Sequence, residues 1–193
     1  MDTIFLKIYF TVSWSSLGIV RFYFKLKQRK NKIKLDHKTT LEKVLLFSAQ
    51  IGMMMVPFIY IFTPWLDFAN YKFPNEAAYL GISLIPFTLW LFYRAHKDLG
   101  KNWSPSLELI EEHALITNGV YKKIRHPMYS SIWLWVLIQF LMFHNYVAGL
   151  LGIITFGILY FLRVDKEEEM MLNQFGDLYR KYMEKTNRLT PFT

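Results

Sequence analysis

The chain has 193 residues, enough for one domain. Apolar residues make up 53%, aromatics 18% and charged residues 20%, a balance that excludes a disordered chain. There are no cysteines, which excludes disulfide scaffolds, cysteine-ligated zinc and thiol nucleophiles; the formal charge of +8 has to be read from its distribution.

Five apolar stretches stand out in chain order: Ile4–Phe24, Leu45–Thr63, Ala77–Tyr93, Tyr129–Phe143 and Tyr146–Leu162. A bilayer core of roughly 30 Å needs about 20 helical residues, and somewhat shorter spans work when flanking residues help. The expected fold class is therefore an all-α, multi-pass integral membrane protein with five transmembrane helices. Lys7 and Arg21 lie near the two ends of the first stretch, where long side chains can snorkel to the interface. Pro57 and Pro86 are tolerable kinks where neighbouring helices cover the freed carbonyls. Only His144 and Asn145 separate the last two stretches, which read as a tight helical hairpin, with one long kinked helix as the alternative. The N-terminus has no basic leader region, so the first stretch reads as a retained helix.

Basic residues orient the spans. Lys25–Lys43 holds eight, Arg94–Arg125 six and Arg163 to the C-terminus six, against Lys72 alone in the loop between spans two and three. Five spans put these segments on one side at 20 against 1, and the positive-inside rule makes that side cytoplasmic. The N-terminus is then outside and the C-terminus cytoplasmic. Trp65, Phe68, Tyr71 and Phe73 fit an aromatic belt at the outer interface. The Lys25–Lys43 run reads as a topology determinant that touches anionic membrane lipids. No aromatics interleave its lysines, so nucleic acid is not an expected partner. No glycine-rich dinucleotide loop, phosphate-cradling loop or H-E-x-x-H is present, and the five histidines show no i,i+4 pairing, so no metal site is expected.

Two polar clusters remain. One runs from Glu112 through Tyr121 to Arg125-His126-Pro127-Met128-Tyr129, with Pro127 suited to the first turn of a helix. The other is Arg163, Glu167, Glu168 and Glu169. In a hairpin centred between His144 and Asn145, residues whose numbers sum to about 289 share a depth, so Arg163 meets His126 and Glu167 lies one turn beyond. Ionisable groups at that depth usually face a protein interior or wet cavity. The geometry predicts a polar cytoplasmic pocket walled by Arg125, His126, Tyr129, Arg163 and Glu167. The plainer reading makes the arginines interface anchors and the glutamates the solvated first turn of a further helix. That helix follows Arg163 as an amphipathic one, with Met171, Phe175, Leu178 and Tyr182 as its stripe. Met53-Met54-Met55 reads as packing. The whole chain, 1–193, forms one domain: 1–93 carries three spans, and 94–193 carries the polar motifs, the hairpin and the C-terminal helix.

From Leu99 onward the chain resembles the isoprenylcysteine carboxyl methyltransferase family and its membrane relatives, which include phospholipid methyltransferases. The residues that carry the resemblance are Leu99-Gly100-Lys101-Asn102-Trp103-Ser104, His113-Ala114-Leu115-Ile116-Thr117-Asn118-Gly119-Val120-Tyr121 and Arg125-His126-Pro127-Met128-Tyr129. Arg163 four residues before Glu167, Phe175-Gly176-Asp177-Leu178-Tyr179-Arg180-Lys181-Tyr182, Arg188 and Pro191 complete it. The five-span length looks like the compact prokaryotic and archaeal members. Glu112 stands where many members have glycine, and Ile116 replaces a more usual valine.

The resemblance implies an enzyme that uses S-adenosylmethionine, with S-adenosylhomocysteine as product. His113, Ala114, Leu115, Ile116, Tyr121, His126, Pro127, Met128, Tyr129 and Glu167 would contact the cofactor. Arg163 would be the catalytic residue that meets the acceptor. That acceptor would be a lipophilic molecule entering from the bilayer, such as a prenylcysteine or other lipid-like carboxylate. A phospholipid N-methyltransferase is the alternative acceptor class. A nicotinamide-dependent reductase of the sterol-reductase type and a non-catalytic membrane scaffold are the readings from other classes.

Overall fold

The computed structural model describes residues 3–28, 33–36, 39–72, 74–103, 108–110 and 114–191. Helix α1 spans Thr3–Gln28 without a break. Its short hydroxyl residues Thr11, Ser13, Ser15 and Ser16 each donate to the carbonyl four residues back, so these four hydroxyls are satisfied within the helix. Helix α2, Thr40–Gln50, begins at Thr39, whose side chain accepts the Glu42 N–H. A π-helical turn, Ile51–Met55, joins it to α3, Val56–Phe62. Pro57 cannot donate to the carbonyl one turn back, and the widened turn sits just before it. Helix α4, Asn75–Leu99, contains Pro86 and still runs unbroken.

Helix α5, Pro127–Met142, and helix α6, Tyr146–Phe175, form the expected hairpin. The break between them excludes the single kinked helix. Asn145 makes the turn: its side-chain oxygen caps α6 at Ala148 N–H, and its amide donates to Leu66 and Asn70 across the same end. Helix α7, Asp177–Glu184, follows Gly176.

Among the described residues three helices are long and apolar enough to cross a membrane: Thr40–Phe62, Asn75–Asn102 and Tyr146–Phe175. Pro127–Met142 is a shorter apolar helix, enclosed by the others, with Val136 and Ile138 wholly buried. The outward faces are also apolar: Ile8, Val12 and Phe22 on α1, Phe47 and Phe58 on α2–α3, Trp90 on α4 and Phe161 on α6 are all exposed. An apolar surface of that extent suits lipid rather than water. Close packing of α6 on the π-turn depends on Gly52, where a Cβ would strike the Thr155 hydroxyl and come within 2.7 Å of the Leu151 carbonyl. Buried Gln139 on α5 ties the same region together, donating to the Gly52 and Ala148 carbonyls at 3.1 and 2.6 Å.

Three expectations need correction. The body is helical, but β1 (Ile33–Asp36) pairs antiparallel with β2 (Glu108–Ile110), a short ribbon that satisfies backbone groups of two connecting segments. No separate amphipathic helix starts after Arg163; α6 continues to Phe175, because nothing between the apolar and acidic parts breaks it. The chain breaks instead at Gly176, φ 54°, so the stripe from Met171 to Tyr182 is not one face, and Leu178 is exposed. Arg21 does not snorkel outward but lines an internal cavity, described below.

Candidate active site at one end of the bundle

The site grows from the first turn of α5. Its N-terminus is held by a strap of the C-terminal segment: Arg125 N–H donates to the Asn187 carbonyl, His126 N–H to Arg188, and the Ser130 hydroxyl to Leu189. Facing it, α6 presents two successive carboxylates about 100° apart around the helix, and they meet different fates. Glu168 turns into the protein and is 3% exposed. It accepts from Arg125 Nε at 3.0 Å and from Arg188 Nη2 at 2.6 Å, and lies 3.2 Å from His126 Nε2. This carboxylate raises the Arg188 guanidinium above its ordinary pKa, through its hydrogen bond first. Arg125 also donates to the Met183 and Thr186 carbonyls, fastening α7 beneath.

Glu167 turns toward a cavity. The Tyr129 hydroxyl donates to its Oε2 at 2.6 Å, His126 Nδ1 lies 3.8 Å from Oε1 and Arg163 Nε 3.7 Å from Oε2. Arg163 also reaches Glu42 of α2, Nη1 to Oε1 at 3.4 Å, with both side chains buried. Arg163 and His126 therefore meet at the depth that the hairpin arithmetic placed them, through Glu167.

Residues 114–116 run beside this group without regular structure, and Asn102 anchors them by accepting the Ala114 N–H at 3.0 Å. Gly119, φ 57°, turns the chain so closely over Asp98 that any Cβ would collide with its carboxylate. The Asp98 carboxylate accepts the next N–H, that of Val120. Tyr121 donates to the Ala95 carbonyl, and Tyr182 donates to the Tyr121 carbonyl at 2.6 Å. Burial pushes the Tyr121 phenol well above its usual pKa and that of Tyr182 up to about 12. Both are fixed hydrogen-bond donors at neutral pH.

These groups line a cavity of about 370 Å³, within the roughly 300–1,000 Å³ of small-molecule sites. Ala114, Leu115, Ile116, Tyr121, His126, Met128, Tyr129, Arg163 and Glu167 all face it. Pro127 does not line it; buried, it starts α5. His113 and Glu112 lie outside the described residues. The cavity continues away from the polar end along Trp14, Leu17, Leu46, Ala49, Trp135 and Phe156, so one space has a charged head and an apolar arm. Among the described residues no three His, Asp or Glu side chains converge as a metal site would need.

A model of the isoprenylcysteine carboxyl methyltransferase family matches residues 79–173, which take in most of α4, nearly all of the α5–α6 hairpin and the polar cavity residues between them. Over those 95 residues, just under half of its length, the chain is similar to this family. A protein-S-isoprenylcysteine O-methyltransferase of Schizosaccharomyces pombe is 32% identical over 75 residues, covering 39% of this chain and 32% of that protein. One from Dictyostelium discoideum is 27% identical over 156 residues, 77% of this chain and 62% of its own length. A solved eukaryotic intramembrane Ras methyltransferase of the isoprenylcysteine carboxyl methyltransferase type shares the fold, with a TM-score of 0.52 at 22% identity over 82% of this chain and 55% of that one. The chain thus spans between 32% and 62% of the length of these relatives. Like the family, it is an integral membrane protein.

Sequence reasoning missed several residues. Glu168 looked like one of three equivalent acids; only the helix rotation tells it from Glu167. Glu42 lies within a basic run, and its one signal is a carboxylate three residues after a capping threonine. Arg21, Asn102 and Tyr182 depend on contacts between segments far apart in sequence, as Asn102 to Ala114 and Tyr182 to Tyr121 show.

Proposed function

We propose that this chain is a member of that family and an S-adenosylmethionine-dependent carboxyl O-methyltransferase acting on a prenylcysteine-like or other lipophilic acid that enters from the bilayer. The observation that carries this reading is one continuous cavity, charged at the α5–α6 mouth and apolar toward α1 and α2. The residues fit the cofactor by their chemistry. Glu167 offers a carboxylate for an ammonium group, held in place by the Tyr129 hydroxyl. The Ala114–Ile116 backbone, moored by Asn102, offers polar groups along the cavity wall. Aromatic and methionine side chains wall the rest. When bound, S-adenosylmethionine supplies an activated methyl on a sulfonium.

A carboxylate acceptor is ionised at neutral pH, so no strong base is required of the protein. Its residues chiefly align the acceptor with the methyl group and exclude water. Arg163, with its forked guanidinium, is the residue assigned to the acceptor carboxylate. The proposed cofactor residues are His113 to Ile116, Tyr121, His126 to Tyr129 and Glu167, with Pro127 acting through the start of α5. S-adenosylhomocysteine should bind the purified protein, and His126→Ala and Glu167→Ala should weaken it about tenfold or more, the worth of a lost hydrogen bond to a charged group. Calorimetry reads this directly. Unchanged affinity in both folded variants would overturn the assignment.

The proposed topology has five spans, α1, α2–α3, α4, α5 and α6, with the N-terminus outside and the C-terminus and cavity mouth cytoplasmic. Its support is the 20-to-1 charge asymmetry and the grouping of ends. Lys7, Tyr60, Asn70 and Asn145 gather at one end, and Trp103, Arg125 and Glu167 at the other. A membrane-impermeant thiol reagent should reach Asn70→Cys only from outside. Labelling from the cytoplasmic face would exclude five spans.

A further inference from the structure

Helix α1 carries a second guanidinium into the cavity. Arg21 lines it, with the guanidinium carbon 5.7 Å from the Trp103 ring centroid. Trp103 is itself buried and follows the Asn102 anchor, so the ring that the guanidinium lies against is held in place. Among the described residues Arg21 makes no hydrogen bond or salt bridge; the charge that acts on it most is that of Arg163. Two guanidiniums brought near each other in a low-dielectric cavity repel, and a bound anion between them turns that cost into attraction. The residues before Arg21 on the same face of α1 are Trp14, Leu17 and Gly18, and all three line the apolar arm. A Cβ at Gly18 would meet nothing within 4 Å, so the space beside that turn is open. Along this face the helix offers an apolar track that ends in a positive charge, the pattern of a long-tailed acid.

We propose that Arg21 is a carboxylate-binding residue that, together with Arg163, grips the acceptor's acid group while its tail lies along the Trp14–Gly18 face of α1. This rests on the reading that the acceptor is an acid. In the transfer an acceptor oxygen forms the O–CH3 bond as the methyl–sulfur bond breaks, with its electron pair passing to sulfur; no proton moves. The anionic acceptor becomes a neutral ester and the sulfonium a neutral thioether. The two arginines then lose the charge they held, and the product is released toward the bilayer. Arg21 is thus a specificity device: it binds the acid and lets the ester go.

The test uses the full chain in lipid nanodiscs, saturated with S-adenosylhomocysteine so that no transfer occurs, and titrated with N-acetyl-S-farnesylcysteine and with its methyl ester. Wild type should bind the acid at least tenfold more tightly than the ester. Arg21→Gln should cut that ratio at least threefold, leaving only the share that Arg163 supplies, while ester and S-adenosylhomocysteine affinities stay within about twofold, which also shows the fold to be intact. Arg21→Lys should keep more of the preference than Arg21→Gln. A wild-type acid preference that falls less than threefold in Arg21→Gln would overturn the Arg21 assignment alone. Weakened S-adenosylhomocysteine binding with an intact acid preference would reassign Arg21 to the cofactor. A wild type that does not distinguish acid from ester would overturn the acid-acceptor reading and the role of Arg21 with it.

Discussion

Glu168→Ala should lower the melting temperature of the detergent-solubilised protein by on the order of 10 °C and abolish binding of S-adenosylhomocysteine. Glu168 is 3% exposed and holds three cationic or ionisable partners, Arg125, His126 and Arg188. Removing one partner of a buried ion pair costs about 3–5 kcal/mol, because the other charge is left without compensation. Arg125 is the residue so exposed to loss: its side chain is 9% accessible and cannot find water where it lies. For a chain of this size each kcal/mol shifts the midpoint by roughly 2–4 °C. The effect on binding follows from position. Glu168 fixes the His126 ring from behind and anchors Arg188, whose carbonyl accepts the His126 N–H. Without it the C-terminal strap and the first turn of α5 lose their common support. Glu168→Gln keeps the shape and one acceptor oxygen and should fall between wild type and alanine. Alanine behaving like wild type in both melting and binding would show that the network is incidental to the site.

Much of this was legible beforehand, for identifiable reasons. The hairpin could be read because its two apolar stretches are separated by only His144 and Asn145, and depth along paired antiparallel helices follows from counting. That counting brought Arg163, His126 and Glu167 together before any contact was known. The start of α5 was legible because Pro127, followed by an apolar run, suits the first helical turn. The part that failed was rotational and long-range. Glu167 and Glu168 are adjacent in sequence but point about 100° apart around the helix, and no depth argument separates them. Arg21 sits where a snorkelling residue would sit, and only the packing of α1 against the rest of the cavity turns it inward. The run through Arg163 and the three glutamates looked like the opening of a new helix, since acids favour helix N-termini. Here they continue α6, and the charges of Glu167 and Glu168 are answered by Arg163, Tyr129, Arg125 and Arg188 instead of by a helix dipole.

Arg163→Lys should leave expression and S-adenosylhomocysteine affinity near wild type and reduce methyl transfer about a hundredfold. Two roles for Arg163 predict opposite results. An interface anchor needs only a positive charge on a long stem, and lysine supplies both. A residue that orients a carboxylate needs a planar fork with paired N–H donors, which lysine lacks. The structure places Arg163 at 8% exposure between Glu42 and Glu167, in the wall of the cavity. Lysine at this position can still satisfy Glu42 as a point charge, so the helix pair α2–α6 should remain joined and the protein folded. What it cannot do is hold an acceptor oxygen in line with the methyl group, and a displacement of about an ångström is enough to cost on the order of 10²-fold in rate. Single-turnover transfer to an S-farnesylcysteine acid, measured beside cofactor affinity, separates the roles. Wild-type turnover in the lysine variant would make Arg163 a charge anchor and leave Arg21 as the acceptor's partner. Efficient transfer to an amine in place of the acid would move the protein to the phospholipid-methylating branch, where a forked cation at this depth has no carboxylate to hold.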